Sequence, residues 1–149
     1  MTCFGDHLVA AKLNSQEHSD GMVDWRAIRG EKMLVEPYNL PDDVAKKLRA
    51  VMRSLNIVFG SFDLIVTPED EYVFLEVNEQ GQFLWIEEYN PSIKMLDTFI
   101  QFLTNKSVDF EWNPDGLEHT IEQYRHEIDP IFSKNMSRHV DLNRANMGY

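Results

Sequence analysis

Three oxygen-bearing side chains, Asp63, Glu76 and Asn78, fall where two neighbouring strands can bring them together. Residues 61–66 and 72–77 are apolar runs on either side of a short acidic turn, the pattern of a β-hairpin. With residues 68–71 as a four-residue loop, Thr67 faces Tyr72, and the same register sets Asp63 opposite Glu76. Strand alternation then puts Asp63, Glu76 and Asn78 on one face with Ile65 and Phe74. Two carboxylates set face to face repel. A hard divalent cation removes that cost, and an all-oxygen set suits magnesium or manganese. The opposite face, Phe62, Leu64, Val66, Val73, Leu75 and Val77, is apolar. A strand pair so apolar on both sides is expected to be covered on both, with acidic groups emerging at one end. The competing reading is a pair of carboxylates at a sheet edge beside water.

These residues need elements to position them. Residues 2–14 read as two extended pieces around the turn dipeptide Gly5-Asp6. Residues 15–21 are a polar loop, order resumes at Asp24-Trp25-Arg26, and residues 31–37 form a short strand closed by Pro37. Residues 41–55 predict an amphipathic helix: proline at the start, Asp42 and Asp43 in the first turn, and Val44, Leu48, Val51 and Leu55 in one stripe. Asn90-Pro91 reads as the start of a second helix over 91–103, buried through Leu96, Phe99, Ile100 and Leu103. Beyond Lys106 the character shifts, and Leu117, Ile121, Tyr124 and Ile128 predict one more helix ended by Pro130. The expected architecture is α+β, a mostly antiparallel sheet flanked by helices. Residues 1–107 form its domain, and 108–149 a helical tail of unassigned role whose last residues are expected to be mobile.

Composition narrows the functions open to the chain. Its 149 residues, 43% hydrophobic, suffice for one domain with a core. A formal net charge of −11 opposes binding to nucleic acid or an anionic membrane. Cys3 is the only cysteine, so no intrachain disulfide forms, which fits a cytoplasmic location. No signal peptide and no eighteen-residue apolar stretch is present. His7, His18, His119, His126 and His139 show no zinc-like grouping, and no nucleophile elbow, Walker A or Gly-x-Gly-x-x-Gly motif occurs.

The wording of the hairpin carries a resemblance. Phe59-Gly60-Ser61-Phe62-Asp63, followed by Phe74-Leu75-Glu76-Val77-Asn78-Glu79-Gln80-Gly81-Gln82-Phe83-Leu84-Trp85-Ile86-Glu87, resembles the C-terminal half of ATP-grasp ligases. The likeness is greatest to the microviridin-type (graspetide) branch, which modifies ribosomally made peptides. It implies ATP with Mg2+ or Mn2+, the metal held by Asp63, Glu76 and Asn78. It places Lys12 and Arg26 near the phosphates, where cations offset the acidic field. Phe74, or Leu75 in its stead, would lie beneath adenine with Ile65 on the metal face. Gln82 would stand beside substrate, or cap the helix over 91–103.

The implied reaction activates a carboxylate of a peptide or small molecule as an acyl-phosphate, which an amine or hydroxyl then captures. The likeness covers residues 1 to about 105 and only the C-terminal part of the family's architecture. The substrate-binding domain and the subdomain with a glycine-rich phosphate loop are not among these residues. A truncated ligase, without turnover on its own, is therefore expected; a degenerate remnant acting as a binding or regulatory module is the alternative. Residues 108–149 match nothing in the family pattern and are read as a family-specific tail or a homodimer contact.

Overall fold

The computed structural model describes residues 1–13 and 34–137. Arg26, the loop over 15–21 and the last residues of the chain lie outside that set. The chain divides by contacts into two units, Met1–His119 and Thr120–Tyr149.

In the first unit, strands β1 (Thr2–Phe4), β2 (His7–Val9), β5 (Phe59–Val66) and β6 (Tyr72–Asn78) form an antiparallel sheet in the order β2–β1–β5–β6. The turn from β1 to β2 is made by Gly5, whose φ of 61° is the left-handed conformation that glycine adopts at least cost. Strands β3 (Ala11–Leu13) and β4 (Val35–Pro37) pair separately, with Lys12 opposite Glu36. The Tyr38 and Tyr72 hydroxyls hydrogen-bond, tying the start of β6 to the chain just after β4.

Alternation along β1 and β5 sends neighbouring residues into two cores. On one face, Cys3 and Phe62 pack with Val44, Leu48 and Met52 of helix α1 (Asp42–Leu55). That helix forms where it is expected, but its buried face is Val44, Ala45, Leu48 and Met52, with Leu55 exposed; it ends at Asn56, a left-handed cap, after which Ile57 N–H reaches the Met52 carbonyl. On the other face, the ring of Phe4 meets Phe59, Phe83, Phe99 and Phe102 at centroid distances of 5.6–6.2 Å. Tilted and edge-on pairs of this kind add to the burial of the rings themselves.

The second predicted helix differs from expectation. Asn90 does not cap it. Its Oδ1 accepts from Ser92 N–H and its amide donates to the Val35 carbonyl, so 90–94 form a bend instead. A short helix α2 (Trp85–Tyr89) precedes this bend, and helix α3 (Met95–Asn105) follows it. The buried face of α3 is Met95, Asp97, Thr98 and Phe102, while Leu103 is exposed. An asparagine with two backbone partners at hand satisfies them before it caps a helix.

Asp97, fully buried, binds the segment after α3. It accepts from Trp112 Nε1 and Gln101 Nε2 at 2.7 Å each, and from the Glu118 and His119 backbone N–H at 3.0 and 3.1 Å.

The second unit carries helix α4 (Ile121–Ser137), opened by a reciprocal pair: Thr120 N–H donates to Gln123 Oε1 and Gln123 N–H to Thr120 Oγ1. The helix runs through Pro130 rather than ending there. Leu117, expected in its stripe, instead ends the 3-10 turn Pro114–Gly116.

Candidate metal-binding site

Asp63 does face Glu76, but by a different route from the one alternation predicts. From the turn, Val66 pairs with Tyr72, Ile65 with Val73 and Leu64 with Phe74; beyond an irregularity, Asp63 pairs with Glu76, Phe62 with Val77 and Ser61 with Asn78. The loop therefore includes Thr67. Its Oγ1 accepts from Glu69 and Glu71 N–H, its own N–H donates to the Glu71 carbonyl, and Asp70 takes a φ of 60°. These local bonds favour a five-residue loop, which shifts the pairing by one residue. A bulge at Leu75 shifts it back.

The bulge changes which face Phe74 occupies. Its ring packs on Phe62 at 6.0 Å, the side covered by α1, and not on the face of Asp63. Ile65, Glu76 and Asn78 keep the Asp63 face, and Val73, expected on the opposite one, joins them there as the partner of Ile65. Both faces were expected to be covered; in this chain the far end of the hairpin is open on both, with Val66 and Phe74 at 45% and 49% exposure on the α1 side and Ile65 and Val73 at 51% and 43% on the Asp63 side, where Asp63, Glu76 and Asn78 are all exposed. The aromatic core on this side of the sheet covers β1 and the start of β5 and stops short of the hairpin's far end.

Asn78 is held by its own turn. Its Oδ1 accepts from Gln80 N–H at 2.9 Å, and Gly81 N–H approaches its carbonyl at 3.3 Å. An oxygen set of two facing carboxylates and one amide carbonyl two residues along suits a hard divalent cation. Among the described residues no group of three or more His, Cys, Asp or Glu is gathered for a metal, so the donor set here is this pair with the amide.

The remaining candidates are dispersed. Lys12 is exposed on the separate β3–β4 sheet and makes no ion pair among the described residues. Gln82 is exposed beyond the turn; its carbonyl accepts from Trp85 Nε1 at 3.1 Å, and it does not cap α3, where Lys94 is the cap. Alternation alone does not contain the bulge, yet the bulge leaves a trace in the sequence: on an unbroken strand Phe74, a ring suited to the core, shares a face with the carboxylate of Glu76. Thr67, with its loop-forming hydroxyl, is the second trace.

No family model matches the sequence, and no curated protein does. Among solved structures, the chain is similar to an RiPP-associated ATP-grasp ligase of Chryseobacterium gregarium, in complex with ADP and a leader and core peptide, at TM-score 0.62 and 28% identity. It is likewise similar to the macrocyclase MdnC of Microcystis aeruginosa, bound with the precursor peptide MdnA, at TM-score 0.58 and 33% identity. Each match covers 71% of this chain and 32% of the other. In fold and in sequence the chain is thus similar to ATP-grasp ligases of the peptide-modifying kind, as its hairpin wording implied. It spans about a third of their length.

Proposed function

We propose that this chain is the metal- and nucleotide-holding part of an ATP-dependent ligase that joins a peptide carboxylate to an amine or hydroxyl. One observation carries the reading: Asp63 and Glu76 face each other across β5 and β6, with Asn78 two residues on, on the sheet face that α1 leaves open. Two opposed, exposed carboxylates in an acidic chain are unfavourable without a cation between them. Mg2+ or Mn2+ would supply positive charge against the phosphate oxygens of ATP. Ile65 and Leu75, exposed beside the carboxylates, offer an apolar surface for the base; Phe74, turned to the other face, fits that role less well. Lys12 and Arg26 are the proposed cations for the phosphates and the acyl-phosphate, and Gln82 the proposed substrate contact.

A peptide is the favoured substrate because both similar ligases were captured with peptides. The chain spans 32% of each ligase, so metal and nucleotide binding is the reading for these residues, and ligation that for the complete fold. Among the described residues no helix is long and apolar enough to cross a membrane. A nucleotide-dependent enzyme with a single buried, unpaired Cys3 is assigned to the cytoplasm.

Calorimetric titration of ADP with Mn2+ tests the ligand set. The wild type is expected to bind, and Glu76→Ala combined with Asn78→Ala to weaken binding by about a hundredfold, since two of three protein ligands are gone. Equal binding by both proteins would refute the assignment.

A further inference from the structure

We infer that Gly81, seated on Ser61, is a positioning residue that aims the Asn78 side chain at the metal, an inference that rests on the metal reading above. Ser61 is fixed on both sides. It pairs with Thr2 of β1 and with Asn78 of β6, and its hydroxyl lies 3.3 Å from that of Thr2, which is 1% exposed. The turn leaving β6 folds back over this seat. A Cβ added at Gly81 would stand 2.7 Å from Ser61 Cβ, 2.9 Å from its Oγ and 3.3 Å from the Asn78 carbonyl oxygen. Contacts below 3.0 Å are essentially never made by a real Cβ, and the nearest atom is the root of the serine side chain, which no rotamer change moves.

Gly81 is not among the residues with positive φ, so alanine meets no backbone penalty there. The demand is purely for space.

That demand bears on Asn78. Gln80 N–H and Gly81 N–H are the two donors that hold its side-chain and main-chain oxygens, and both lie on the turn that Gly81 lets settle. An alanine must lift the turn off Ser61, which lengthens the Gln80 bond and frees Asn78 Oδ1 from the position that bond gives it. Ligand positions at a metal site are held within a few tenths of an ångström, so a displacement of this kind is felt in affinity.

The test uses two variants and two readouts on the full chain. Gly81→Ala is expected to lower Mn2+ affinity about tenfold, read from paramagnetic broadening of the Asp63, Glu76 and Asn78 amide signals. It is also expected to speed hydrogen exchange of the Gln80 amide without metal. Adding Ser61→Gly removes both offending atoms, and the double variant should recover most of the affinity and the Gln80 protection. A general loss of stability would not be repaired by a second glycine in a strand.

Gly81→Ala that binds Mn2+ like the wild type, or a loss that persists in the double variant, would overturn the positioning role alone. Wild-type protein whose signals are not broadened at millimolar Mn2+ would overturn the metal reading and this role with it.

Discussion

Gly5 and Gly81 meet different constraints. At Gly5 the constraint is double: φ is 61°, and an added Cβ would lie 2.3 Å from the Val108 carbonyl oxygen, which accepts from Asp6 N–H at 2.7 Å. Neither the backbone conformation nor that carbonyl can yield without breaking the bond that pins the chain after α3. Gly5→Ala is therefore expected to destabilise the protein by about 1–3 kcal/mol in urea unfolding, with no direct effect on metal binding. Gly81 carries the space constraint alone, and its substitution should be felt chiefly at Asn78.

At the scale of elements, the hairpin reaches its register through two irregularities of opposite sense. The five-residue loop held by Thr67 shifts the pairing by one residue, and the Leu75 bulge restores it at Asp63 and Glu76. Leu75 is the residue without a partner, and its side chain is exposed. Deleting it would let Glu76 follow Phe74 directly, which keeps Phe74 on Phe62 and Glu76 opposite Asp63. The deletion is expected to cost less than about 1 kcal/mol and to preserve the Asp63–Glu76 cross-strand nuclear Overhauser contact. Loss of that contact would show that the bulge, with its added twist, is needed for the register itself.

At the scale of the first unit, Asp97 joins α3 to residues 112–119 through three donors, Trp112 Nε1 and the Glu118 and His119 backbone N–H, while Gln101 Nε2 of α3 itself is a fourth. Burial pulls its pKa up, but the bonds from Trp112, Glu118, His119 and Gln101 outweigh burial and hold the carboxyl below its ordinary value. The folded state thus releases this proton more readily than the unfolded one. The stabilisation is fully present above the ordinary carboxylate pKa near 4 and is lost as pH falls through the lower folded value. Asp97→Asn, which offers an NH2 to donors, is expected to cost about 1–3 kcal/mol at pH 7. The gap from wild type should shrink by pH 3 in urea unfolding; a gap independent of pH would show that Asp97 is not charged in the native protein.

Much of the fold is legible in local sequence because local forces set it. Pro41, Asp42 and Asp43 start α1, Gly5-Asp6 turns the first hairpin, and the apolar runs around 67–71 make β5 and β6. The facing of Asp63 and Glu76 was legible too, although two offsetting shifts lay behind it. Tertiary structure decided what depends on partners distant in sequence. Asn90 forgoes its cap for the Val35 carbonyl, fifty-five residues away, and Asp97 becomes a buried junction because Trp112 and the 118–119 backbone come to it. The face of Phe74 was decided by the hydrogen bonds of the Thr67 loop, the bulge they require and the core behind α1, which strand alternation alone does not contain. By itself the sequence determined which oxygen-bearing side chains the chain offers and on which strands. Only the folded sheet decided which apolar side chains stand beside them, because one unpaired residue reverses the faces of all that follow.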